Sequence, residues 1–236
     1  MARTFSVRRS GRTPRLLAFL AVLAASALPV FAQDLSGSFY VHEFWTELEP
    51  MVFQPGHPGP LTRAEAIKQV LTEAQFVFSG ELYGFNFTYT PPDPTRAVAG
   101  AFTLSPIAEI KWGDPHLRVL ATRVENQRFI AQVMYTLAPF QESWKRIWDS
   151  NIFPTASGRG SGNYLLGFDQ RIASYRSAVE DAIPAYLSAR ILNRPKRVTG
   201  EVELTGNPYT IIEAGRFVST VNIKVKIRSV EPYSVF

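Results

Sequence analysis

The chain has 236 residues, 46% of them hydrophobic and 19% charged, which marks a globular body long enough for a real core. It has no cysteine and only three histidines, so disulfide scaffolds, thiolate metal sites, cysteine nucleophiles and histidine-rich metal sites are excluded. The formal net charge of +5 belongs to the first 32 residues, which hold five arginines and no acid; beyond them 20 basic residues balance 20 acidic ones. A neutral body lacks the cationic surplus that displaces counterions from nucleic acid, so no nucleic-acid partner is expected.

Residues 1–15 are basic, and Leu16 to Leu28 are almost wholly apolar. Pro29 ends the run, and Val30-Phe31-Ala32 places small residues where a signal peptidase reads them. This pattern predicts a secretory signal peptide at 1–32 with cleavage after Ala32, and Ala25-Ser26-Ala27 offers a second cleavage site. The apolar run is shorter than the ~20 residues of a spanning helix, and no other stretch is a candidate, so the mature chain is expected to lack a transmembrane helix. Export without cysteine fits a bacterial periplasm or cell surface better than a eukaryotic secretory route.

In the mature chain, Ser38 to Leu48 reads as a strand with Phe39, Val41, Glu43, Trp45 and Glu47 on one side. Three prolines and two glycines make 54–60 a loop. Thr62 and Glu65 form a capping box, and Ala64, Ile67, Val70 and Ala74 follow at helical spacing, predicting a helix over 63–75. From Phe76 the period changes. Tyr83, Phe85, Phe87 and Tyr89 alternate with polar or small residues, which predicts a strand with one buried face. Runs at 102–112, 117–124 and 129–137, joined by short turns, predict an antiparallel meander. Pro139 opens a helix carrying Phe140, Trp144 and Trp148 at i, i+4, i+8. Thr155 to Asn163 is Gly/Ser-rich and is expected to be a mobile loop. A helix over 169–192 follows, with Pro184 expected to kink or divide it. Strands at 197–204, 209–212 and 217–230 close the chain. The resulting expectation is one α+β domain over 33–236, an antiparallel sheet of six to eight strands covered on one face by two or three helices.

The candidate functional residues are few. The aromatic row Tyr83, Phe85, Phe87 and Tyr89 could line a pocket for a hydrophobic ligand, with Trp144 and Trp148 closing it. The plainer reading is that these rings fill the core. Gly158, Gly160 and Gly162 precede a helix and could cradle an anion, although no Lys-Ser/Thr pair follows and a flexible connector is the commoner use of such a stretch. Asp114 and His116 could form an acid/base pair, but Asp-Pro is also ordinary turn chemistry. His42, Glu43 and Glu47 are close in sequence, yet on a strand His42 points away from the two carboxylates, so no metal site is expected. No nucleophile motif is present, and nothing calls for a cofactor.

The expected function is therefore an exported bacterial envelope or periplasmic protein, non-enzymatic, that binds or assembles with an envelope protein. The first alternative is a carrier of a hydrophobic small molecule in an aromatic-lined sheet–helix cavity. The second is a hydrolase built from dispersed Ser, Asp and His residues.

Overall fold

A computed structural model describes residues 38–49, 59–150, 152–188, 190 and 194–233. The predicted leader and its cleavage site at Ala32 lie outside these residues, as does most of the 54–60 loop with His57. The elements run β1 (Phe39–Glu47), α1 (Arg63–Leu82), β2 (Phe85–Thr90), β3 (Ala101–Pro106), β4 (Leu117–Glu125), β5 (Arg128–Thr136), α2 (Pro139–Asp149), β6 (Thr155–Asn163), α3 (Asp169–Ser188), β7 (Arg197–Leu204), β8 (Tyr209–Glu213) and β9 (Arg216–Glu231). The fold is α+β, with every strand pairing antiparallel.

Nine strands form among the described residues, and they divide between two sheets. A three-stranded sheet has the order β1-β5-β4, and a six-stranded one has β3-β2-β7-β9-β6 with β8 alongside β9. The expected meander is therefore corrected. Of the three expected strands, only β4 and β5 form a hairpin with each other, tightened by Asn126 and Gln127 at φ 49° and 61°. β3 leaves them and pairs with β2. The long strand β9 is the spine of the larger sheet. Its first half lies between β8 and β6, and its second half pairs with β7 on the same side as β8.

α1 explains the split. Its capping box forms as expected: Thr62 accepts from Glu65 N–H, and the Glu65 carboxylate accepts from Thr62 N–H at 2.8 Å. The helix then runs seven residues past the predicted end. Val77 to Leu82 are all buried, including Ser79, Gly80 and Glu81. A helix buried on all sides loses its amphipathic period, so Phe76-Val77-Phe78 looked like the start of a strand. Phe78 meets Tyr40, Phe44 and Tyr135 of the smaller sheet, with ring centroids 6.1, 5.7 and 6.3 Å apart. Gly80 turns the other way, onto Leu204 and Phe85 of the larger sheet. On β1 the row that faces inward is accordingly Phe44 and Thr46, with Tyr40 and His42 half-buried beside them.

The expected loop at 155–163 is corrected to a strand, β6. Gly158, Gly160 and Gly162 all point at α3. A Cβ on Gly158 or Gly160 would overlap the helix backbone around Ser174, Ala178 and Ala182, and one on Gly162 would overlap Gln170. The three glycines let α3 lie directly on the strand. The ladder to β9 occupies one edge of β6, and on the other Arg159 N–H donates to the Asp181 carboxylate of α3 at 3.0 Å. α3 runs unbroken through Pro184, so the expected division does not occur. Its buried stripe is Tyr175, Val179, Ile183 and Leu187.

Candidate functional site

The structure separates the aromatic row into three environments. Phe85 and Phe87 are core residues. The Phe85 ring packs tilted against Phe76 with centroids 5.4 Å apart, and the Phe87 ring lies over Gly200 of β7, its register partner. Tyr83 is not on the strand; it caps the end of α1. Its ring meets Trp144 edge-on at 5.9 Å, and its hydroxyl accepts a hydrogen bond from Gln141 of α2 at 2.7 Å. Trp148 is buried against Phe153, whereas Trp144 is exposed. Phe85 also borders a recess of about 200 Å³ shared with Phe76, Glu109 and Arg176, although its own ring is buried.

Tyr89, the last of the row, lines an open groove of about 340 Å³. Pro91, Pro92 and Pro94 form one wall, Pro184, Leu187 and Ser188 of α3 the other, and Arg194 and Pro195 complete it. Proline rings fix the backbone, so the walls need little ordering on binding. Asp93 braces the first wall. It accepts from Thr95 N–H at 3.0 Å, from the Thr95 hydroxyl at 2.5 Å and from Arg96 at 2.6 Å. These bonds, from Thr95 first and Arg96 next, hold its carboxyl down at about 2. Burial raises the Tyr89 phenol above its ordinary value, and Arg194 opposes that. A mostly apolar recess of this volume with a few polar groups has the character of a small-molecule site.

The titratable groups with perturbed surroundings lie elsewhere, in a seam beneath α2. His42 Nε2 sits 2.8 and 3.0 Å from the two oxygens of Glu81. Burial, reinforced by Glu81, Glu203 and Asp149, pushes the Tyr40 hydroxyl far above its ordinary range. Glu203 is buried, and burial raises its carboxyl to about 8 even though Lys224 opposes this. Lys224 Nζ is 3.5 Å from Glu203 Oε2, which has no hydrogen-bond partner, because the ammonium is aimed at the Trp148 carbonyl. Further along, Gln141 also donates to the Tyr135 hydroxyl at 2.8 Å, and burial pushes that phenol up to about 12.

The remaining candidates separate. Asp114 Oδ1 accepts from His116 N–H and faces His116 Nδ1, both at 2.9 Å, which is a turn closing on itself at Gly113. Glu43 pairs with Arg123 at 2.6 Å, and Glu47 accepts from Tyr164 at 2.5 Å, so neither approaches His42. The side-chain bonds of His42 and His116 go to carboxylates, and among the described residues neither meets a serine hydroxyl.

Sequence reasoning missed one buried cluster entirely. Glu73 of α1, Arg171 and Tyr175 of α3 and the Trp45 carbonyl of β1 meet in the core. Arg171 Nε is 3.0 Å from Glu73 and its guanidinium stacks 4.1 Å from the Trp45 ring centroid. Thr210, Ser219 and Ser174 continue the network through bonds of 2.8 and 2.6 Å. The void beside Arg171 is about 20 Å³, room for a single water rather than a substrate. The helical spacing of Arg171 and Tyr175 was visible, but their partner on α1 lies about a hundred residues away.

A family model matches residues 31–233 of the chain. A protein of Treponema pallidum (strain Nichols), described as "Uncharacterized protein", is 30% identical over 198 residues, covering 81% of each chain. The chain belongs to the family that holds this treponemal protein. No solved structure matches it. Membership spans β1 to β9, so the groove and the seam both fall within the shared region.

Proposed function

We propose that this is an exported bacterial envelope or periplasmic protein that binds an apolar small molecule rather than transforming one. The observation that carries the binding reading is the proline-walled groove at Tyr89, open and of ligand size, while His42 faces Glu81 and Arg171 faces Glu73. Support for export comes from the leader pattern of residues 1–32, and the family match starts at residue 31, beside the predicted cleavage site. On this reading the carrier cavity lies at the rim of the sheet–helix layer rather than inside it.

Titration of the purified protein with the neutral fluorophore N-phenyl-1-naphthylamine tests it. Saturable one-to-one binding that Ser188→Trp abolishes, with the melting temperature unchanged, is the expected result. Equal binding by the substituted protein would remove the groove as the site. Amino-terminal sequencing of the mature protein from fractionated cells tests export, and an intact Met1 in the cytosol would overturn it.

A second reading, assembly with an envelope protein, rests on α2. Phe140 is 65% exposed, Ile147 50% and Trp144 37%, on a helix whose Trp148 is 2% exposed. Three large apolar side chains left on one helix face is the signature of a protein contact. Cross-linking from position 140 in intact cells, lost in Ile147→Glu, tests this reading.

A further inference from the structure

We infer that the ligand of the groove is an anionic amphiphile, its apolar part against the prolines and its acidic head on Arg194. This inference rests on the binding reading above and adds the charge and polarity of what is bound.

Two features of the groove have to be matched by one molecule. Tyr89, Leu187 and the proline rings make a surface that excludes strongly hydrated ligands. Arg194 stands in the same lining and is exposed. A guanidinium has five N–H donors. Among the described residues, Arg194 spends one on a neutral acceptor, the Pro92 carbonyl at 3.2 Å, and pairs with no carboxylate. The acids at this end of the molecule are already engaged. Asp93, inside the proline wall, holds Arg96 at 2.6 Å, and Glu231 lies 3.8 Å from Arg197. The bond to Pro92 steadies the planar group at the mouth and leaves its remaining donors for a carboxylate or phosphate oxygen. α3 has no basic residue in its last turn, and Arg190 beyond it is stacked on Tyr186 with 4.2 Å to the ring centroid, so Arg194 is the cation that the groove lining itself supplies. A neutral hydrocarbon would leave this charge unused, and a small inorganic anion would leave the apolar walls wet. An apolar chain with an acidic head satisfies both.

The test compares dodecanoate with dodecanol, each below its aggregation limit, by calorimetric titration into the purified protein. Dodecanoate should bind at least fivefold more tightly than dodecanol. Arg194→Gln should erase that preference and leave dodecanol within twofold, and Ser188→Trp should abolish both. Equal binding of the two probes, or a preference that survives Arg194→Gln, overturns the head-group assignment while the apolar groove stands. Binding of neither probe removes the groove reading and this inference with it. Tight binding of inorganic phosphate alone at Arg194 would replace the amphiphile by a simple anion. Because Arg194 and Ser188 are both exposed at the surface, thermal unfolding of each variant should match the parent, so loss of binding reads the site and not the fold.

Discussion

β2 and β6 belong to one sheet and present alternate residues to the same helical layer, yet they meet it by opposite means. β2 uses rings: Phe85 and Phe87 fill the space beneath α1 and across Gly200. β6 uses the absence of side chains: Gly158, Gly160 and Gly162 bring the α3 backbone onto the strand itself. Glycine weakens a strand and offers nothing to bury. Here the loss is offset by α3, which places Tyr175, Val179 and Ile183 in the core and covers the open edge of β6 through Asp181. The lesson is that a two-residue period can be written in small residues as well as large ones. What matters is the space the partner needs.

Substitutions can break this contrast. The largest effect is expected at Gly160, where a side chain would have to displace α3 backbone rather than a flexible neighbour. Gly160→Val should leave no cooperative unfolding transition by circular dichroism, whereas a loop at that position would tolerate it. On the other strand, Phe87→Ala should cost about 3–5 kcal/mol in denaturant unfolding, because it opens a cavity and uncovers Gly200. A cost below about 1 kcal/mol would show that Phe87 is not core.

Glu203 sharpens the comparison from the polar side. Its carboxyl is raised to about 8 in the folded protein from an ordinary 4.5, so the folded state holds its proton to higher pH than the unfolded chain does. Its contribution to stability is then fully present below about 4.5 and is lost as pH rises toward 8. Glu203→Gln should flatten that slope and stabilise the protein at pH 8 by on the order of 2 kcal/mol, less than the full shift because Lys224 loses its counter-ion. Stability that is flat across this window in the parent would refute it. The smallest effect is expected at Phe140, which is exposed on α2. Phe140→Ser should change stability by no more than about 0.5 kcal/mol, in contrast to the several expected for the buried Trp148→Ala.

Much of the local structure was legible. The capping box at Thr62 and Glu65, Pro139 at the start of α2, the apolar stripe of α3 and the alternation in β9 all name their elements, because each depends on neighbours within one or two turns. The failures have two causes. α1 ran past Gln75 because both its sides are buried, so periodicity vanished where burial was greatest. Thr155 to Asn163 alternated in plain sight, but glycine composition masked the period. Of the candidate residues, Tyr89 reaches the proline-walled groove, and the partners that make it one come from the turn after β2, the end of α3 and the segment before β7.

The sequence by itself determined the chemical character of this protein: thiol-free, neutral beyond its arginine-rich first 32 residues, rich in aromatic rings and built of alternating strands and capped helices. Tertiary structure alone decided that the strands divide between two sheets around α1, that three glycines serve as a seat for α3, and that Glu73 finds Arg171. The reason is physical. Local order follows from propensity and capping within a few residues, whereas space, burial and charge partners are set by chain segments that meet only after folding.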